Sequence, residues 1–172
     1  MEGSRRAMSR GAQEAMSGFI ADMREWDLFG GLTFDQRRCR MERAWGLGGG
    51  KSPVRIPVDS ARVRFQNFIG AAESVLGRRI EYVAALESHK NGWPHLHPLL
   101  SLEGGLQAGD IGLLGRLWYE RQGYGRLEVP RSRADVTAYC AKYVSKDYGV
   151  GDLLMSRSLG RDRPLGRGDE GA

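Results

Sequence analysis

Two strand-like runs joined by an Asn-Gly turn commit residues 79–102 to an antiparallel hairpin. The first run, Arg79-Ile80-Glu81-Tyr82-Val83-Ala84-Ala85-Leu86-Glu87, is β-branched and aromatic and ends in an acid. Ser88-His89-Lys90-Asn91-Gly92 supplies turn chemistry, Asn-Gly being the strongest short hairpin signal. The chain then returns through Trp93-Pro94-His95-Leu96-His97-Pro98-Leu99-Leu100.

Strand alternation puts the His95 and His97 imidazoles on one face and Leu96 on the other. The chain holds three histidines, and two of them stand here. Folding the hairpin back brings Glu87 near His95. A carboxylate and two imidazoles make a three-ligand site with open positions, suited to Mg²⁺ or Mn²⁺ acting on a phosphate; ligand type alone also admits Zn²⁺. Glu81 is the rival carboxylate but lies further up its strand, and His89 reads as a solvated turn residue. Taken alone, His-x-His is also compatible with an ordinary polar strand face.

A second constellation follows in Ala134-Asp135-Val136-Thr137-Ala138-Tyr139-Cys140-Ala141-Lys142-Tyr143-Val144-Ser145-Lys146. Asp135 or Ser132 can cap a helix here. Tyr139 and Tyr143 are four apart and share a face, as do Lys142 and Lys146. A phenol with a pKa near 10 is a poor nucleophile until its proton is lost. A neighbouring ammonium or a metal-bound phosphate lowers that cost, which gives the Tyr and Lys pairing a chemical sense. Without the hairpin, the same residues read as a half-buried face and a solvated stripe.

In order along the chain, Leu32-Thr33-Phe34-Asp35, then Glu87 with Pro94-His95-Leu96-His97, then Tyr139-Cys140-Ala141-Lys142-Tyr143-Val144-Ser145-Lys146 resemble the three motifs of HUH endonucleases. The nearest likeness is to rolling-circle replication initiators of phages and plasmids, over roughly residues 29 to 148. The resemblance implies a Rep nuclease-like fold, a variant of the RRM-like or ferredoxin-like sandwich. It implies metal ligands at His95, His97 and Glu87, and a nucleophilic tyrosine at Tyr139 or Tyr143. Lys142 or Lys146 would steady the developing charge. Initiators of the microvirus type use two tyrosines at this spacing, one to open the strand and one to close the circle. If one acts, Tyr139 is favoured, because Tyr139-Cys140-Ala141-Lys142 resembles the single-tyrosine motif of related viral initiators. The implied activity is nicking of single-stranded DNA through a 5′-phosphotyrosine link that is later rejoined. The alternatives are a transposase or relaxase of the same chemistry, or a nucleic-acid-binding module without catalysis. The implied partners are single-stranded DNA or an origin hairpin, a separate helicase and the host replication machinery. Pro98 departs from the family pattern and suggests an edge strand or a bulge.

Composition agrees with a polyanionic partner. Lys+Arg 26 against Asp+Glu 21 gives a net charge of +5 and a pI near 9.5. Arg37, Arg38, Arg40 and Arg43 follow the first strand, and Arg126, Arg131 and Arg133 precede the tyrosine helix. Both groups flank the expected site, where a DNA backbone would run. Trp93, Trp118 and Tyr124 are candidates to stack unpaired bases, and equally core or rim aromatics. The cysteines, Cys39 and Cys140, form no disulfide framework and have no metal-type spacing, and read as reduced cytosolic thiols. No apolar run suggests a signal or a membrane span, so a cytoplasmic protein of the host cell is expected.

The resulting architecture is an α+β domain with a central antiparallel sheet of about five strands and flanking helices. Residues 1–27 are expected as an N-terminal helical extension, 28–150 as the nuclease domain and 151–172 as a disordered tail. Gly49-Gly50-Lys51-Ser52 is similar to the end of a P-loop. That motif needs a glycine where Trp45 stands, so nucleotide binding is rejected.

Overall fold

The computed structural model describes residues 9–35, 58–88, 93–144 and 153–159. Helix α1 (Arg10–Met23) leads into strand β1 (Leu28–Phe34). Helix α2 (Val58–Leu76), the hairpin β2 (Ile80–Ser88) and β3 (Pro94–Leu102), helix α3 (Asp110–Arg121) and strand β4 (Gly123–Glu128) follow. Helix α4 (Arg133–Tyr139) runs on through one π-type turn, Cys140–Val144, and strand β5 spans Leu153–Met155.

Among the described residues the sheet has five strands in the order β4-β1-β3-β2-β5, and every neighbouring pair is antiparallel. The segment β1-α2-β2-β3-α3-β4 has ferredoxin-like connectivity. The α+β class expected from the hairpin and the helix periods is therefore the observed one.

Period-2 alternation divides the side chains of each strand between two layers. Leu28, Leu32 and Phe34 of β1, Tyr82, Ala84 and Leu86 of β2, and Leu96 and Leu100 of β3 pack with Phe65 and Phe68 of α2 and Leu114 and Trp118 of α3. The opposite face gathers Val83, Ala85 and Leu99 with Ile20 and Ala21 of α1 and Val136, Tyr139 and Cys140 of α4. Helices α1 and α4 thus cover the β2–β3 side of this second face. Its β1–β4 side borders a cavity of about 720 Å³. His95 and His97 project from this second face.

Two expectations are corrected. Pro98 lies in β3, between β1 and β2, and its side chain is fully buried, so it marks no edge. The β1–β3 partners are Leu28–Leu100 and Phe29–Leu99, then Leu32–Leu96 and Thr33–His95. The register is the same on both sides of the gap, so no residue is inserted; pairing is interrupted where proline has no N–H to donate. Residues 151–172 are not all disordered tail, since β5 pairs with β2 and Leu154 is buried in the larger core. Three ladder positions and one buried leucine suffice to hold a segment whose composition is otherwise polar.

Candidate active site

Sheet register sets out the site as rows across the strands. Glu87 of β2 stands opposite His95 of β3, His95 opposite Thr33 of β1, and Thr33 opposite Tyr124 of β4. Directly paired residues share a face, and strands lie about 4.8 Å apart. Tyr124, Thr33, His95 and Glu87 therefore form one line over the second face. In the next row Arg126 stands opposite Gly31, and Ala85 opposite His97.

Each imidazole is held by a neighbour. His95 Nδ1 is hydrogen-bonded to Thr33 Oγ1 at 2.7 Å, and His97 Nε2 lies 3.1 Å from Glu87 Oε2. The two rings meet edge to face, centroids 4.6 Å apart. A Cβ at Gly31 would lie 2.9 Å from His95 Nε2, so glycine makes room for that ring. Gly30 is equally required for backbone reasons: a Cβ there would overlap the Arg126 carbonyl oxygen.

The tyrosine helix closes over these rows. Ser132 caps α4, its side chain accepting from the Asp135 N–H at 3.2 Å, while the Asp135 carboxylate accepts from the Arg131 N–H at 2.9 Å. This reciprocal arrangement explains why both residues looked like caps. Tyr139 is buried against Phe29, centroids 4.8 Å apart, and its hydroxyl donates to the Gly30 carbonyl. Burial pushes its phenol far above the ordinary tyrosine range, because ionisation there would leave an unsolvated charge. Burial likewise pushes the Cys140 thiol up to about 12. Tyr143 is half-buried and stacks on His97 with centroids 3.7 Å apart, and Lys142 Nζ lies 4.7 Å from the centre of the Tyr143 ring.

His95, His97, Tyr139, Lys142 and Tyr143 all line the 720 Å³ cavity. Arg126 and Arg131 line it too; Arg126 also pairs with Glu128 at 2.8 Å. Arg133 instead clamps α4 to α1 through Asp22, with contacts of 2.5 and 2.6 Å. Arg37, Arg38 and Lys146 lie outside the described residues. Glu81 shares the face of Glu87 but is taken by Arg24, whose hydrogen bond holds its carboxyl below the usual range. Trp93 and Trp118 are buried, the Trp118 indole donating to the carbonyls of Thr33 and Tyr124, so both are core residues. The positions of Gly30 and Gly31 were missed in the sequence. A doubled glycine inside a strand was the available signal, since glycine there often marks close approach.

The family model for the replication-associated protein ORF2 matches residues 27–148. The chain belongs to this family. The match begins just before β1 and ends just past the tyrosine helix, so it spans all the residues that line the cavity. No curated protein and no solved structure matches the chain. Among the described residues, no helix of this replication-associated protein is long and apolar enough to cross a membrane.

The donor set suits a divalent cation. His97 and Glu87 already approach each other, Thr33 holds His95 by its other ring nitrogen, as a second-sphere partner does, and Gly31 leaves space at Nε2. Among the described residues no three such groups yet converge on a single point.

Proposed function

We propose that this replication-associated protein is an HUH-type initiator that nicks single-stranded DNA at an origin and later rejoins it. The observation carrying the proposal is the shared cavity, into which the hairpin's imidazole pair and the tyrosine helix both open. His95, His97 and Glu87 would hold Mg²⁺ or Mn²⁺. When bound there, such an ion supplies Lewis-acid polarisation of the scissile phosphate.

Tyr143 is the first nucleophile. It is the phenol that stacks on His97 beside Lys142, whereas the Tyr139 hydroxyl is engaged by the Gly30 carbonyl inside the fold. This geometry supports the reverse of the preference drawn from the Tyr139-Cys140-Ala141-Lys142 motif. Attack forms the Tyr143 Oη–phosphorus bond and breaks the phosphorus–O3′ bond. The phenolic proton is lost, the departing 3′-oxygen takes one up, and the chain keeps the 5′-phosphate. One phosphoester replaces another, so rejoining needs no nucleotide. Lys142 stabilises the charge on the phosphoryl oxygens. In a two-tyrosine scheme Tyr139 acts second, after its hydroxyl leaves Gly30.

Incubation with circular single-stranded DNA and Mn²⁺, followed by denaturing electrophoresis, tests the proposal. A covalent protein–DNA adduct that is lost in EDTA is expected. Adduct formation unchanged in Tyr139→Phe/Tyr143→Phe would falsify the nucleophile assignment, and nicking unchanged in EDTA would remove the metal.

A further inference from the structure

The rows that hold His95 do not stop at the catalytic groups. They run outward across β1 to β4, where Tyr124 ends the line Glu87–His95–Thr33–Tyr124. Tyr124 lines the same cavity as Tyr143 and is 62% exposed. Its ring is braced edge to face by Tyr119 of α3, centroids 5.8 Å apart at 64°. Its backbone is anchored separately, since the Tyr124 carbonyl accepts from the buried Trp118 indole. The ring is thus fixed at its base and open at its face. Arg126 and Arg131 line the cavity beside it and offer positive charge to a backbone following the ring.

An exposed aromatic flanked by arginines, about two strand spacings from His95, has the composition of a single-strand platform. Every unpaired base offers a π-face, while guanidinium groups take the phosphates. A duplex would keep its bases stacked on one another and have none to give. We infer that Tyr124, braced by Tyr119, is a positioning residue that stacks an unpaired base beside the scissile phosphate and so orients the strand toward Tyr143. This inference deepens the nicking proposal and rests on it for the identity of the strand.

The test measures binding without cleavage, so it is read separately from nicking. An oligothymidylate carrying one internal 2-aminopurine is titrated with Tyr143→Phe protein and with the same protein bearing Tyr124→Ala, Tyr124→Phe or Tyr124→Trp. Stacking quenches the probe. Tyr124→Ala is expected to restore its fluorescence and weaken binding by about 5- to 100-fold, while Phe and Trp retain both signals. In the cleaving background Tyr124→Ala raises KM and leaves kcat near its original value. Unchanged affinity and quenching in Tyr124→Ala overturn the inference, as does equal binding to a duplex of the same length. A Phe variant as weak as the Ala variant also overturns it, because the hydroxyl and not the ring would then matter. Wild-type protein that stacks the probe yet forms no adduct on any single strand defeats the nicking proposal instead.

Discussion

A single methyl group added at Gly31 would meet His95 Nε2 at 2.9 Å, forcing the imidazole off its bond to Thr33. Misplacement of a reacting group by about 1 Å can cost about 100-fold in rate, and Gly31→Ala is expected to lose adduct formation on that scale while circular dichroism stays native. The two tyrosines separate along different axes. Tyr139→Phe leaves the Gly30 carbonyl without its phenolic donor and is expected to cost about 1–3 kcal/mol in urea unfolding. Tyr143→Phe is expected to change stability by less than about 0.5 kcal/mol and to abolish the first adduct. Equal stability losses in the two variants would contradict the roles drawn for them. At this scale the sequence supplied the right residue types, His95, His97, Glu87 and both phenols. It could not rank Tyr139 against Tyr143, because burial depends on Phe29 and Gly30, more than a hundred positions away in the chain.

Among the elements, α4 matters most for the chemistry, and its start was legible as Ser132-x-x-Asp135. Its end was not. Local spacing predicts a plain helix with Tyr139 and Tyr143 on one face, whereas the chain widens into a π-type turn at Cys140–Val144. Such turns are rare and tend to occur at functional sites, and here the turn carries both Lys142 and Tyr143. Helix α1 is tied to the sheet by Arg24, which grips Glu81 of β2. The Arg24 hydrogen bond lowers the Glu81 pKa on folding, so the pair's contribution is complete above the ordinary value near 4.5 and is lost as pH falls through the depressed one. Wild-type Tm is therefore expected to drop more steeply than that of Glu81→Gln between about pH 5 and about pH 3. Parallel melting curves across that window would show that the pair is not linked to folding.

Over the molecule as a whole, positive charge is distributed unevenly between structure and site. Arg131 faces the cavity, while Arg133, two residues on, neutralises Asp22 and holds α1 to α4. Single-strand binding depends on salt with a slope of about −0.7 per phosphate neutralised. Arg131→Ala is expected to reduce the slope by about that amount, and Arg133→Ala to leave it unchanged, in fluorescence titrations at several salt concentrations. The reverse order would assign the DNA path to the α1–α4 side. Local chemistry was enough to read the hairpin, the helix periods and the two motif-bearing segments, because alternation and capping act over a few residues. Long-range pairing settled the rest. It set Pro98 in a central strand, drew 153–155 into the sheet, placed Tyr124 in line with His95 and withdrew Glu81 and Arg133 into ion pairs. Each of those outcomes turns on which distant segment fills the space beside a residue, and no neighbour in the chain carries that information.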